Sequence, residues 1–141
     1  MQWIILIGDE NFNLNALKSI KHKGCTRCYD VPGIKGRYCV EFEQEHIFYD
    51  FDLDVGELAE NLSKVPYKKP HFIMMIYKSE ELVKHILKLK DFPNTIYVDN
   101  DYGLVLPLKE FIEIGMPLNK EETEDYLSDS DNIIVNEILD Y

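Results

Sequence analysis

Arginine and alanine are nearly missing from this chain, with two of each in 141 residues, while isoleucine, lysine and asparagine abound. That bias suggests an AT-rich bacterial genome and carries no mechanism. Long apolar runs are missing too. The longest, Trp3 to Ile7 and Phe72 to Tyr77, have the length of a strand and fall far short of the ~20 residues of a spanning helix. The N-terminal run is also too short for a signal-peptide core and has no basic segment before it, so a cytoplasmic location is expected. Cysteine is scarce and odd in number at three, which fits reduced cytosolic thiols better than a disulfide framework. No P-loop, dinucleotide fingerprint or nucleophile elbow occurs, and the four histidines are scattered at 22, 46, 71 and 85. Direct binding to nucleic acid is disfavoured by a net charge of −11.

What is present is acidic charge in blocks. Residues 41–60 contain eight carboxylates and no Lys or Arg, and residues 119–141 contain eight more against Lys120 alone. The rest of the chain is net positive by four. Clustered charge of one sign makes a field that selects partners, whereas scattered charge mainly keeps a protein soluble. An apolar content of 45% and an aromatic content of 12% are enough for a packed core despite that charge.

The apolar periodicity predicts a buried strand at 3–7, then a helix capped by Asn11 or Asn13 with Leu14, Leu17 and Ile20 inward. At 37–53, Tyr38, Val40 and Phe42 alternate with Cys39, Glu41 and Glu43. Ile47, Tyr49, Phe51 and Leu53 alternate with Phe48, Asp50 and Asp52. A fold at Gln44-Glu45 pairs 42 with 47, 40 with 49 and 38 with 51, giving a hairpin with one apolar face. Its other face sets Glu43 against His46, Glu41 against Phe48, Cys39 against Asp50 and Arg37 against Asp52. Asp54 and Glu57 form a capping box that opens a helix through Val65, ended by Pro66.

A strand at 72–77, a helix capped by Ser79 and a strand at 95–98 follow, expected to close as a right-handed parallel unit. A short strand at 104–106 leads to a helix opened by Pro107. Residues 119–127 suggest an acidic helix, 128–131 a loop, and 133–139 a helix or edge strand. The expected architecture is α/β (α+β). It is a single mixed sheet with an antiparallel hairpin and one parallel strand–helix–strand unit, with helices packed on the sheet. One domain spans 1–118, and 119–141 form an acidic helical extension packed on it.

Four constellations invite a chemical reading. Asp50, Asp52 and Asp54 match the opening of an EF-hand calcium loop, but Val55 replaces its turn glycine and Asn61 its bidentate glutamate, so the match fails. His22, Cys25, Cys28 and Cys39 have donor types suited to zinc, or are ordinary buried thiols. Asp9, Asp99 and Asp101 close two apolar strands and suit Mg²⁺ with a phosphate if those strand ends converge, or are simply turn residues. Glu41, Glu43, Asp50 and Asp52 share the acidic hairpin face with Phe48, where like charges cost some tenths of a kcal/mol per pair. That arrangement gains a purpose if a cationic protein docks there, and otherwise only solubilises the chain.

A small acidic α/β protein with these two carboxylate blocks resembles the immunity proteins of bacterial toxin systems. The resemblance implies a non-enzymatic, cytoplasmic inhibitor that covers the positive cleft of a basic, nuclease-like toxin, using no cofactor and no membrane. On that reading Glu41, Glu43, Phe48, Asp50 and Asp52 contact the partner. The alternatives are a Mg²⁺-dependent phosphate-processing enzyme using Asp9, Asp99 and Asp101, or a soluble α/β domain with no small-molecule chemistry.

Overall fold

Every strand pair among the described residues is antiparallel. The structure, a computed structural model, describes residues 2–51 and 63–139. In chain order the elements are β1 (Gln2–Gly8), α1 (Leu14–Lys18), β2 (Arg27–Asp30), β3 (Arg37–Glu41), β4 (His46–Asp50), β5 (His71–Tyr77), α2 (Glu80–Leu87), β6 (Tyr97–Asp99), β7 (Val105–Pro107), α3 (Leu108–Glu113) and α4 (Lys120–Leu139). Among the described residues seven strands lie in the order β2-β3-β4-β5-β1-β6-β7.

The expected parallel unit is therefore not formed. The strand–helix–strand order β5-α2-β6 exists, but β1 lies between β5 and β6 and pairs antiparallel with both. The reason is burial. Ile4 to Ile7 are almost fully buried on both faces, which suits a central strand, so β1 takes the place that β6 would need beside β5.

One face of the sheet carries the main core. Ile4 and Leu6 of β1, Ile73 and Met75 of β5, Ile47 and Tyr49 of β4 and Val40 of β3 share a cluster with Leu17 of α1, Val83 and Ile86 of α2, and Phe111 of α3. Local chemistry positions these short helices. The Asn13 side chain accepts the Asn15 amide at 2.9 Å, and the Ser79 hydroxyl accepts the Leu82 amide at 3.2 Å. On the opposite face, Ile5 and Ile7 form a smaller cluster with Val65 and Val105.

The hairpin forms with its turn one residue earlier than the alternation alone suggests. Glu41 faces His46, Val40 faces Ile47 and Tyr38 faces Tyr49, closed by the Phe42 amide on the Glu45 carbonyl at 2.7 Å. A shift of two in register preserves parity, so the apolar face stays inward. Ser128 to Asp131 do not interrupt the tail, because α4 runs through them. The helix expected from Asp54 and the side chain of Asp52 lie outside the described residues. No helix among the described residues is long and apolar enough to cross a membrane.

One buried polar pair sits inside the main core. The Tyr49 hydroxyl lies 2.8 Å from His22 Nε2, and both residues are buried. Burial lowers the His22 pKa below its ordinary 6.5, against a hydrogen bond to the Ile20 backbone that raises it. The ring is thus neutral in the fold, and Tyr49, whose own pKa burial raises, donates to Nε2. Because the folded pKa is depressed, the stabilisation is full above about pH 6.5. It is lost as pH falls from there through the folded value. Urea midpoints measured between pH 7.5 and 5 should fall with pH, and His22→Gln should flatten that slope over the same window.

Candidate functional site

The antiparallel frame decides which acidic residues meet. Because β1 runs against β5 and β6, the start of β1 lies beside the ends of β5 and β6. The register sets Gln2 opposite Tyr77 and Ile5 opposite Asp99. The start of β4 lies at this same end, since Phe48 faces Ile76, and so does the hairpin turn at Glu43–Glu45. The first turn of α4 joins them. Buried Asn100, directly after β6, donates to Thr123 Oγ1 at 3.0 Å, and Asn119 donates to Glu80 Oε1 at 3.0 Å and to Glu122 Oε1 at 2.6 Å. The topology thus gathers carboxylates from both acidic blocks, with Glu80 and Asp101, at one end of the sheet.

The expected hairpin quartet does not act as a unit there. Glu41 accepts the Tyr29 hydroxyl at 2.8 Å and pairs with Arg27 at 3.3 Å; Tyr29, ahead of Arg27, holds its carboxyl below the usual range. Asp50 lies at the far end of β4 and is clamped by Arg37, with Nε and Nη2 each donating at 2.6 Å. In sequence Arg37 was expected opposite Asp52; the register sets it opposite Asp50. Arg27 enters from β2, an edge strand with no alternation to announce it. Glu43 is exposed in the turn beside Glu45, and neither meets a cation among the described residues.

Phe48 does lie where an anchor is useful. The register places Phe48, Ile76 and Trp3 side by side on β4, β5 and β1, on the face opposite the main core. The Arg37 guanidinium lies 4.8 Å from the Phe48 ring centroid, and His46 meets that ring edge-on. The row ends at an open cleft of about 120 Å³ lined by Gln2, Trp3, Asp101, Tyr102 and Leu118. Trp3 and Tyr102 are 42% and 43% exposed, unusual for rings of that size. Asp101 holds a positive φ of 67°, and burial, then the neighbouring Asp99 carboxylate, raise its carboxyl above the ordinary value. A cation entering the cleft relieves that repulsion. Trp3 and Tyr102 are the site residues that sequence reading misses. The only signal for them is that the sole Trp opens an apolar run, which reads equally as core.

The other constellations come apart. Asp9 follows the end of β1 and Asp99 ends β6, but antiparallel pairing of these neighbouring strands puts those ends at opposite ends of the strands, with Ile7 beside Tyr97. Asp9, Asp99 and Asp101 therefore do not converge. Asp9 instead turns the chain, accepting the Asn11 amide at 2.8 Å. His22, Cys25, Cys28 and Cys39 do not converge either. Cys39 pairs with Tyr29 on one face while Cys28 pairs with Val40 on the other, and His22 Nε2 is committed to Tyr49. Among the described residues no group of three or more His, Cys, Asp or Glu side chains is placed to hold a metal ion. No family model, curated protein or solved structure matches the chain.

Proposed function

We propose that this chain is a non-enzymatic binding protein that docks a basic protein at the acidic end of its sheet. Inhibition of a cationic toxin domain is the role its resemblance to immunity proteins suggests. The observation that carries the reading is the Trp3–Tyr102 cleft lined by Asp101, at the same end of the sheet as the hairpin turn and the first turn of α4. Exposed aromatics beside acidic groups suit Arg and Lys, whose charge is attracted to the ring face and whose stem packs on it. The surrounding carboxylates speed encounter through their long-range field, a benefit to an inhibitor that must outrun a toxin.

On this reading the sequence-derived contact set changes in weight. Glu43 and Phe48 stay, at the turn and in the aromatic row. Glu41 and Asp50 already have cationic partners of their own, so they orient Tyr29 and Arg37 and add little to the field. Trp3, Asp101 and Tyr102 take the central place.

The test is affinity capture from the source cell with two baits, wild type and a Glu43→Lys/Glu45→Lys/Trp3→Ala variant. Wild type should retain a protein of high isoelectric point that elutes with rising salt. The variant should bind that protein at least ~30-fold more weakly, which is the scale of one lost aromatic anchor, about 2 kcal/mol, before the charge reversal is counted. A Glu41→Gln/Asp50→Asn variant should lose far less. Equal retention by wild type and the triple variant, or binding indifferent to salt, overturns the assignment.

A further inference from the structure

We infer that Cys25 and Cys28 are a reversible dithiol that closes to an intramolecular disulfide by exchange with a small-molecule disulfide. The two Sγ atoms lie 3.9 Å apart in the reduced chain. A disulfide needs about 2.05 Å, so the sulfurs have to close a further ~1.9 Å. Both thiols are held by the fold. The Cys25 amide donates to the His22 carbonyl at 3.0 Å in a tight turn, where Gly24 takes the positive φ of 90° that such a turn requires. Cys28 is fixed in β2 by its pairing with Val40. This inference does not depend on the proposed partner-binding role.

The two sulfurs are unequal in a way that orders the steps. Cys28 is exposed and Cys25 half-buried, while Cys39 is shut inside at 1% exposure. Burial raises the Cys25 thiol pKa above its ordinary value, with the Cys28 hydrogen bond adding to it. Cys28 is therefore the entry thiol and Cys25 the resolving one. The Cys28 thiolate attacks one sulfur of the incoming disulfide, whose S–S bond breaks and releases one thiolate. Cys25 then gives its proton to solvent and attacks Cys28 Sγ, expelling the second thiolate. Two protein thiols are oxidised and one small disulfide is reduced to two thiols, so electrons and atoms balance.

The exchange has a structural consequence, because β2 is the strand that brings Arg27 and Tyr29 onto Glu41. A crosslink at its entry fixes that edge strand.

The experiment uses the full chain in glutathione buffers of varied oxidised-to-reduced ratio, quenched with a thiol alkylator and read by mass. Wild type should lose about 2 Da and keep one alkylatable thiol, released on unfolding and mapping to Cys39. Cys25→Ser should stop at a glutathione adduct on Cys28, and Cys39→Ser should close as wild type does. Three alkylatable thiols across the whole range, a stable glutathione adduct on wild type, or a crosslink that includes Cys39 each overturn the inference.

Discussion

Replacing Asn100 by Ala should destabilise the fold by about 3 kcal/mol and lower the melting temperature by roughly 10 °C. Asn100 is fully buried, and its amide uses four hydrogen bonds. Nδ2 donates to the Pro117 carbonyl at 2.9 Å and to Thr123 Oγ1 at 3.0 Å. Oδ1 accepts the Tyr102 amide at 2.9 Å and the Leu104 amide at 3.2 Å. Alanine leaves those partners with nothing of equal geometry, and an orphaned buried group costs about 1–3 kcal/mol. Asn100→Asp should do no better, since it keeps the acceptor but turns a charge toward the Pro117 carbonyl. The same side chain joins the loop after β6 to the first turn of α4. Loss of partner binding should therefore exceed what the melting shift explains at a temperature where the variant is still folded. A melting temperature within ~2 °C of wild type would show that the amide is dispensable.

The parts of this fold that sequence makes legible are those where one strand or helix decides its own fate. Ile4 to Ile7 and Ile73 to Met75 read as buried strands because their apolarity is continuous. Ser79 announces α2 because a hydroxyl before Glu80-Glu81 satisfies helix amides and suits the dipole. The hairpin keeps its apolar face even with the turn misplaced, since parity survives a shift of two.

What fails depends on neighbours chosen from elsewhere in the chain. That β1 separates β5 from β6 is a competition among strands, and no local pattern records it. β2 has only four residues, mostly exposed, at an edge where burial imposes no alternation. Its arrival nonetheless changes the acidic face, because Arg27 and Tyr29 land on Glu41. The candidate site follows the same division. Its acidic character is legible from composition, whereas the meeting of Trp3 with Tyr102, and the placing of the hairpin turn at their end of the sheet, are products of strand order.

Gly8→Ala should cost about 3 kcal/mol, while Asp9→Asn next to it should change stability by less than ~0.5 kcal/mol. A Cβ built on Gly8 falls 2.4 Å from both Cβ and Cγ of Phe12, far inside contact distance. These atoms are the root of a buried ring, not the end of a flexible side chain, so relief requires moving backbone. That backbone is pinned, with the Phe12 amide on the Asp9 carbonyl at 3.1 Å and the Phe12 carbonyl held by His71 Nδ1 at 2.9 Å. Asp9 uses one carboxylate oxygen to accept the Asn11 amide, and an asparagine oxygen does the same without charge. The pair of variants separates two meanings of the Gly8-Asp9 dipeptide. If it closes a strand by steric fit, Gly8 matters and the charge on Asp9 does not. If Asp9 served a cation, Asp9→Asn would remove a Mg²⁺-dependent rise in the melting temperature of wild type, and no such rise is expected with Asp99 at the opposite end of the paired strands.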